Sequence, residues 1–209
     1  LKEGYTTAKL NIDREYRYYA SLIFDGCIIW GNGVVDDNSS SITYGQMKRK
    51  QIGGQLGTDC YSLTGYTPKK LVNPESVVSN SSFSRKRYSF PIIRLADIYL
   101  MYAEVMLKLN SADVATEYVN KVRRRAWGES NYDVPGTKGE DFTTVTMEIL
   151  QEERYKELFF ENTRWYDICR WGILEQELAK YPSTNAGTVH YDPQDYYLPI
   201  PESEMRSNP

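Results

Sequence analysis

Apolar residues recur with helical spacing along two neighbouring stretches in the middle of the chain. In the first, residues 95–109, they fall at intervals of three and four, which predicts a helix with one apolar face. That face comprises Leu95, Ile98, Tyr99, Tyr102, Met106 and Leu109. The second stretch follows a polar Asn-Ser pair and predicts a helix that ends at Gly128. Its inner face comprises Ala115, Tyr118, Val119, Val122 and Ala126. Together they predict a helical hairpin of the tetratricopeptide type.

A third stretch, residues 143–172, predicts two more helices with a tight break at Glu161-Asn162-Thr163. Its unusual feature is that charges of alternating sign lie among Leu, Phe and Trp. They are Glu153, Arg154, Glu157, Glu161, Arg164, Asp167 and Arg170. Because an unpaired buried charge is costly, the pattern predicts an ion-pair network that fixes how the two helices dock. We expect Arg154 to be buried and paired, with Asp167 and Glu157 as candidate partners, in a structural and not a catalytic role.

The N-terminal part has a less regular pattern. Residues 19–25 alternate in polarity, which predicts a short strand ending at Gly26. Residues 31–55 are rich in Gly, Ser, Asn and Asp, which predicts a long surface loop. Loops of this length in a compact domain are usually functional or mobile.

Residues 149–172, ILQEERYKELFFENTRWYDICRWG, resemble the C-terminal signature of the SusD/RagB family. The matching units are Glu153-Arg154, Glu157-Leu158, Phe160-Glu161, Arg164, Trp165-Tyr166, Asp167 and Arg170-Trp171-Gly172. The chain departs from the family at Asn162-Thr163, where Gly-His is more frequent, but both versions make a helix break. Residues 196–209 resemble the closing segment of the family, and the resemblance extends from about residue 11 to the end of the chain.

This resemblance implies a mainly α fold, with tetratricopeptide-like hairpins in an α-α superhelix, long irregular loops and short strands. It implies that residues 1–209 are the C-terminal portion of one SusD/RagB-like domain. Within it, residues 1–90 would be loop-rich and ligand-facing, 91–180 would hold the helical hairpins, and 181–209 would form an extended strap. Because the chain begins with Leu1, we expect it to be a fragment that lacks its N-terminal part.

The family consists of surface lipoproteins of Bacteroidetes-type bacteria that bind nutrients beside a TonB-dependent transporter. The resemblance therefore implies non-catalytic capture of an oligosaccharide and its delivery to a SusC-like partner. It also implies location on the outer leaflet of the outer membrane, through an N-terminal lipid anchor absent from this chain. Two alternatives remain open, a peptide-binding member of the same family and a helical-repeat scaffold that binds proteins.

Composition excludes several other functions. The net charge of −3 gives no electrostatic case for nucleic acid, and the run Arg123-Arg124-Arg125 is interpreted as a solvated or ion-paired helix end. The three cysteines are odd in number and widely spaced, and His190 is the single histidine, so neither a disulfide framework nor a zinc site is indicated. Asp36-Asp37-Asn38 lacks the full calcium-loop pattern and is read as a polar turn. We expect no catalytic residue, no metal and no cofactor.

The candidate ligand-binding residues are polar and aromatic side chains in and around the long loop. They are Trp30, Asn32, Tyr44 and Tyr66. Sugar rings present C–H faces that stack on aromatic planes, and an amide can bind their hydroxyl groups. The alternative is that these aromatic residues pin the loop to the helices. For Trp165 and Trp171, which share the helical surface of the signature, core packing is expected instead.

Overall fold

The structure, a computed structural model, describes residues 1, 6–28, 62, 64–73, 75–78, 83–180 and 192–197. In this part the regular elements are mainly helical, which confirms the predicted fold class. In chain order they are α1 (Tyr16–Ser21), β1 (Leu22–Ile23), β2 (Thr67–Pro68), β3 (Val77–Val78), β4 (Phe83–Ser84), α2 (Leu95–Lys108), α3 (Ala112–Ala126), α4 (Met147–Glu157), α5 (Arg164–Trp171) and α6 (Leu174–Ala179). Short 3-10 turns lie at Lys9–Asn11 and Pro193–Tyr196. The chain divides into two compact units, residues 1–160 and 161–209.

The predicted hairpin is formed by α2 and α3, which pack along each other. The turn between them places Asn110 in the left-handed region at φ 59°, and Gly128 follows α3 with φ 78°, a conformation that glycine adopts without strain. The ring of Tyr118 makes edge-on contacts with Tyr99 and Tyr102 across the helix pair, at centroid distances of 5.2 and 4.6 Å. The tetratricopeptide-like unit is therefore confirmed.

The two helices of the hairpin differ in how well their faces were predicted. On α3 the predicted inner face is largely correct, since Ala115, Val119, Val122 and Ala126 are buried. On α2 the prediction was wrong. Its buried positions are Leu100, Ala103 and Glu104, whereas the predicted face is largely exposed at Leu95, Ile98, Tyr102 and Leu109. Because α2 carries apolar residues nearly all round, periodicity could not select the face that meets the neighbouring helices.

The second arginine of α3 is buried at the centre of its own ion-pair network. Nε of Arg124 donates to both carboxylate oxygens of Asp141 at 3.0 Å, and its Nη1 and Nη2 donate to Glu117 at 2.9 and 3.0 Å. Nη1 also donates to the carbonyl of Tyr132 at 2.8 Å. Burial by itself would raise the pKa of Asp141, but hydrogen bonds from Arg124 and from the N–H of Gly136 outweigh it and hold that pKa below the usual value. We name these contacts the Arg124 network. They bind Tyr132 and Asp141, which follow α3 in the chain, to the helix.

The helix α4 packs against both α2 and α3 and begins with Thr146, whose side chain accepts a hydrogen bond from the N–H of Ile149. Its apolar face carries buried Arg154, whose Nη1 donates to Oδ1 of Asp97 on α2 at 2.8 Å. Burial and pairing of Arg154 are thus confirmed, with a partner that the sequence did not suggest. The predicted break is confirmed as well, since Phe160 and Asn162 have φ of 63° and 60° after the helix ends.

The predicted strand over residues 19–25 is largely wrong. Residues 16–21 form α1, and only Leu22–Ile23 is a strand, paired antiparallel with Thr67–Pro68. The tertiary contacts of Arg17, which reaches carboxylates of α4, favour a helical turn that local alternation of polarity did not indicate. The expected end at Gly26 lies in a turn, with φ 86°.

The second unit, residues 161–209, is described in α5, α6 and the turn at Pro193–Tyr196. Nη2 of Arg164 contacts Oε2 of Glu177 at 2.5 Å, which links the two helices. Gly172 ends α5 at φ 67°, as predicted, and the N–H of Leu174 donates to the hydroxyl of Tyr196 at 3.0 Å. Core packing was expected for Trp165, but it is exposed. Most of the predicted strap, residues 181–209, lies outside the described residues.

No helix within the described part of the chain has the length and apolar character needed to cross a membrane.

Candidate functional site

Two carboxylates lie one turn apart on α4 and hold arginines from three other parts of the first unit. The side chain of Glu157 is only 2% exposed. Its Oε2 accepts a hydrogen bond from Nη1 of Arg17 at 3.1 Å, and its Oε1 accepts from Arg94 and Arg125 at 2.9 and 2.5 Å. Its main-chain carbonyl accepts from Nζ of Lys70 at 3.0 Å. We name these contacts the Glu157 network.

Glu153 extends this network by one helical turn. Nη2 of Arg17 lies 2.7 Å from its Oε1, an ion pair without a well-aligned hydrogen bond, and Nη1 of Arg123 donates to its Oε2 at 3.1 Å. Glu15, the residue before α1, accepts a hydrogen bond from Nε of Arg17 at 2.5 Å. Burial would lower the pKa of Arg17, but its three carboxylate neighbours outweigh burial and raise it, so this arginine stays charged.

A cavity of about 460 Å³ opens beside the Glu157 network. Among the described residues that line it, the charged ones are Arg17, Lys69, Lys70, Arg94, Arg125 and Glu157. Its other walls include Tyr16, Ile23, Leu71, Val72 and Tyr88. We name this space the basic cavity. Its volume lies in the range of about 300–1,000 Å³ that is usual for small-molecule sites.

The two lysines reach the basic cavity because their main chain is tied to the end of α1. The N–H groups of Lys69 and Lys70 both donate to the carbonyl of Ser21, at 2.9 and 3.3 Å. Leu71 follows with φ 68°, which is unusual for a residue with a large side chain. Burial, only partly opposed by the neighbouring Cys27, lowers the pKa of Lys69. This tight turn places both lysines in the lining of the cavity.

Two exposed tyrosines complete the basic cavity. Tyr16 and Tyr88 are 61% and 46% exposed, so each offers part of a flat ring to solvent. Tyr16 lies directly over Gly128, since a Cβ at that position would come within 2.0 Å of its ring. A cavity with tyrosine faces and cationic walls can stack an apolar ring face and bind anionic or hydroxyl oxygens.

Comparison with known proteins gives a consistent answer. The family model described as the SusD family matches residues 1–209. The chain belongs to the SusD family.

Relatives and solved structures of the family match only part of their own length. "SusD-like protein P25" of Formosa agariphila is 38% identical over 125 residues, which are 56% of this chain and 22% of that protein. "SusD-like protein P2" of the same organism is 32% identical over 119 residues, which are 56% of this chain and 23% of that protein. A crystal structure of a SusD-like protein from Bacteroides fragilis superposes with TM-score 0.58 and 26% identity, over 78% of this chain and 29% of that one. A SusD superfamily protein from Bacteroides vulgatus gives TM-score 0.53 and 26% identity, over 93% of this chain and 38% of that one. This SusD-family chain therefore spans well under half the length of the relatives it matches.

The ligand-binding residues predicted for this SusD-family chain are described at one position only. Trp30, Asn32 and Tyr44 lie outside the described residues. Tyr66 is half-buried, and its hydroxyl donates to Oδ1 of Asn11 at 2.9 Å, an oxygen that also accepts from the hydroxyl of Tyr18 at 2.7 Å. Burial, with a further contribution from Tyr66, raises the pKa of Tyr18. The predicted ligand contact of Tyr66 stays a prediction, and its hydroxyl already has a structural role.

The carboxylates of α4 were predicted to form structural ion pairs and not to act as catalytic acids or bases. Glu153 and Glu157 are enclosed by arginines, as expected of ion pairs, and their partners come from α1, α3 and the residue before α2. No group of three or more His, Cys, Asp or Glu side chains in the described part of the chain could hold a metal ion. The calcium candidate at residues 36–38 and His190 lie outside the described residues.

Sequence reasoning missed the residues that line the basic cavity. Arg17 and Arg94 stand 140 and 63 positions away from Glu157, so no local spacing could join them. The usable signal was the pair Glu153 and Glu157 on an apolar helix face, which required cations from elsewhere in the chain. That signal predicts that the partners carry positive charge, but it does not identify them.

Proposed function

We propose that this chain is part of a non-catalytic cell-surface protein that captures an oligosaccharide and delivers it to a SusC-like TonB-dependent transporter. The observation that carries the proposal is the match of the SusD family model to the whole of residues 1–209. Membership of this family supports a carbohydrate-binding role in general. The matched relatives are named SusD-like proteins, which supports the same assignment.

The ligand surface is proposed to be built from the loop-rich N-terminal part, where Trp30, Asn32, Tyr44 and Tyr66 provide stacking and hydrogen-bonding groups. Tyr66 lies three positions before Lys69, which lines the basic cavity, so the chain leads from one region directly into the other. The exposed rings of Tyr16 and Tyr88 supply further stacking faces in the same unit.

The absence of hydrolysis is proposed from the way the carboxylates of α4 are held. A glycosidase needs one carboxyl group that carries a proton and a second that faces it across the substrate. Glu153 and Glu157 both lie on one helix face, and each accepts contacts from two or more arginines. Neither carboxylate faces a second one across a cleft, and the arginines hold both in place, which supports a structural role.

Calorimetric titration with a panel of oligosaccharides tests binding, and chromatography after prolonged incubation tests cleavage. We expect binding without shorter products. Trp30→Ala, Tyr44→Ala and Tyr66→Ala are expected to weaken binding by about 1–3 kcal/mol wherever the side chain stacks on a sugar. Tyr155→Ala removes an exposed tyrosine of α4 and serves as the matched control. Product formation, or binding of peptides in place of every sugar, would contradict the proposal. Unchanged sugar affinity in all three variants would show that the ligand surface lies elsewhere.

The proposed location and partner need a separate experiment. Co-purification from outer membranes of the native bacterium, with the protein detected at the cell surface, is expected to recover a TonB-dependent transporter. Recovery of the protein from the cytoplasm with other partners would favour the helical-repeat scaffold instead.

A further inference from the structure

We propose that a second cavity of the first unit, beside Trp127, holds one uncharged ring of the captured oligosaccharide. This inference rests on the proposed function, because it adds a sugar-binding site to a protein proposed to capture oligosaccharides. The cavity has a volume of about 420 Å³ and is lined by residues from α1 and from the C-terminal ends of α3 and α4. Among the described residues that line the two cavities, only Arg17 and Ser21 are shared with the basic cavity. We name this second space the Trp127 cavity.

Two aromatic rings in this lining follow the ends of helices. Trp127 comes directly after α3, and Phe159 lies two positions after the last residue of α4. Both side chains are half-buried, so packing holds each ring while part of it stays uncovered. Aromatic rings held in this way can stack on the apolar C–H face of a sugar ring.

The indole of Trp127 also has an unsatisfied donor. Its Nε1 is buried and has no hydrogen-bond partner in the described part of the chain. Because buried polar groups are nearly always paired, this N–H favours a ligand that brings an acceptor. A sugar hydroxyl is such an acceptor. Since Nε1 is closed off from solvent, this contact involves a tilt of the indole when the sugar binds.

The charged side chains of the lining are compensated, which favours a neutral ligand. Three cationic side chains form ion pairs with carboxylates. These pairs are Arg17–Glu15 at 2.5 Å, Arg123–Glu153 at 3.1 Å and Lys156–Glu152 at 2.6 Å. The guanidinium of Arg14 lies over the ring of Tyr18, 4.9 Å from its centroid, and its neighbour Asp13 adds the opposite charge to the same lining. A charged ligand of either sign therefore gains no net attraction from this wall.

Polar side chains in the same wall suit the hydroxyl groups of a sugar. Those of Asp13 and Ser21 form no hydrogen bond within the described part of the chain. A carboxylate accepts, a guanidinium donates, and a serine hydroxyl does both, which matches sugar hydroxyl groups that themselves donate and accept. A neutral peptide with an aromatic side chain uses the rings without these polar groups, so it is the competitor that the experiment must separate.

The test is calorimetric titration of the protein with neutral and charged probes. The neutral sugars are linear tetrasaccharides of glucose, galactose, mannose and xylose. The other probes are a tetrasaccharide that contains a uronate and a capped neutral tetrapeptide that contains phenylalanine. We expect at least one neutral sugar to bind, with an affinity that changes less than about twofold between about 0.05 M and 0.5 M NaCl, because salt screens only charged interactions. The uronate should give no gain over its neutral counterpart.

Variants locate the binding in the Trp127 cavity. Phe159→Ala and Trp127→Ala each remove a stacking ring, so the affinity for the neutral sugar should fall about tenfold, or one of two binding events should disappear. Asp13→Asn should weaken binding about threefold, and asparagine tolerates the φ of 54° at this position. Trp127→Phe keeps a ring but removes the N–H, so its affinity should lie between those of the parent and Trp127→Ala.

Phe160→Ala is the matched control. Phe160 is adjacent to Phe159 and 56% exposed, and it is not among the residues that line the cavity. Because Tyr155 does line the cavity, Phe160→Ala also replaces Tyr155→Ala as the control in the titrations above. Thermal unfolding of each variant checks that it is folded, and Asp13→Asn remains informative if the loss of a ring disturbs packing.

The outcomes separate this inference from the proposed function. If a neutral sugar binds the cavity variants as it binds the parent, or if Phe160→Ala weakens binding equally, the inference is overturned while carbohydrate capture stands. If only the uronate sugar binds, or if the peptide binds in place of the neutral sugars and loses affinity in the same variants, the assignment of the cavity to a neutral sugar is overturned. If no sugar binds at all, the proposed function fails and the inference fails with it.

Discussion

The first unit contains two ion-pair networks that are built in opposite ways. In the Glu157 network a carboxylate is at the centre and three arginines surround it. In the Arg124 network a guanidinium is at the centre, and Glu117 and Asp141 surround it. Both central groups are buried, so both networks satisfy a charge that would otherwise be costly.

The difference lies in which sign of charge is left at the rim. Around Glu157 the outer groups are cationic, and they line the basic cavity. Around Arg124 the outer groups are carboxylates; the carbonyl of Tyr132 accepts from the guanidinium, and the N–H of Gly136 donates to Asp141. The same physical requirement therefore gives a candidate binding surface in one place and a structural fastening in the other. Breaking each network separately tests that distinction.

The largest expected effect comes from Glu157→Ala. The substitution removes the shared partner of three guanidinium groups, of which that of Arg17 is only 10% exposed, so we expect the free energy of unfolding to fall by about 3–5 kcal/mol. Urea unfolding measures it. Glu152→Ala, on the exposed side of the same helix, is the matched control and should change stability by less than about 1 kcal/mol. An equally small effect for Glu157→Ala would mean that the network does not organise the fold.

A somewhat smaller effect is expected from Arg124→Ala. The carboxylates left behind are partly exposed and can regain water, so we expect a loss of about 2–3 kcal/mol. The protein should keep its sugar affinity, because Arg124 does not line the basic cavity. A loss of binding in a folded Arg124→Ala protein would break the distinction between the two networks.

The Arg124 network also predicts an acid dependence. The folded pKa of Asp141 is held below its ordinary value of 3.8, so its contribution is complete above that pH and is lost as the pH falls through the lower, folded pKa. Unfolding free energy of the parent should therefore decline below about pH 4. Asp141→Asn and Arg124→Ala should both make this decline shallower, as urea unfolding at a series of pH values would show. Parallel pH profiles in parent and variants would contradict the assignment.

The smallest expected effect comes from a change at Tyr66, which belongs to neither ion-pair network. Tyr66→Phe removes the hydrogen bond to Asn11 but keeps the ring beside Phe24, so we expect a loss of about 0.5–1.5 kcal/mol in stability. Stacking on a sugar would survive this change and would be lost in Tyr66→Ala. Calorimetry on the two variants separates ring from hydroxyl, and equal sugar affinity in both would remove Tyr66 from the ligand surface.

The fold was predictable where sequence spacing and packing agree. On α3 small and branched residues recur on one face, so the apolar part of the buried face follows from the period, whereas the burial of Arg124 does not. On α2 apolar residues occur nearly all round, and only the position of α3 and α4 selects Leu100 and Ala103 for burial. In α1 the local pattern indicated a strand, but long-range ion pairs of Arg17 accompany a helical turn.

The candidate site was less predictable for the same reason. Ion-pair partners for Glu157 were expected from the helix pattern, yet those partners come from positions 17, 94 and 125, which only the tertiary fold brings together. The lysines at 69 and 70 reach the cavity because their main chain binds the carbonyl of Ser21, a contact with no signature in residue type. Trp30, Asn32 and Tyr44 remain predictions from composition and resemblance.

The outward apolar face of α2 bears on how solutions of this chain behave. Leu95, Ile98, Tyr102, Val105 and Leu109 follow one another along the exposed helix surface. Apolar patches of this kind attract one another in water, and a net charge of −3 on 209 residues gives only weak long-range repulsion. Purified alone, the chain is expected to self-associate, so its light scattering should rise more than proportionally as the protein is concentrated. Added salt would aggravate this, because it screens the repulsion and strengthens apolar association at once.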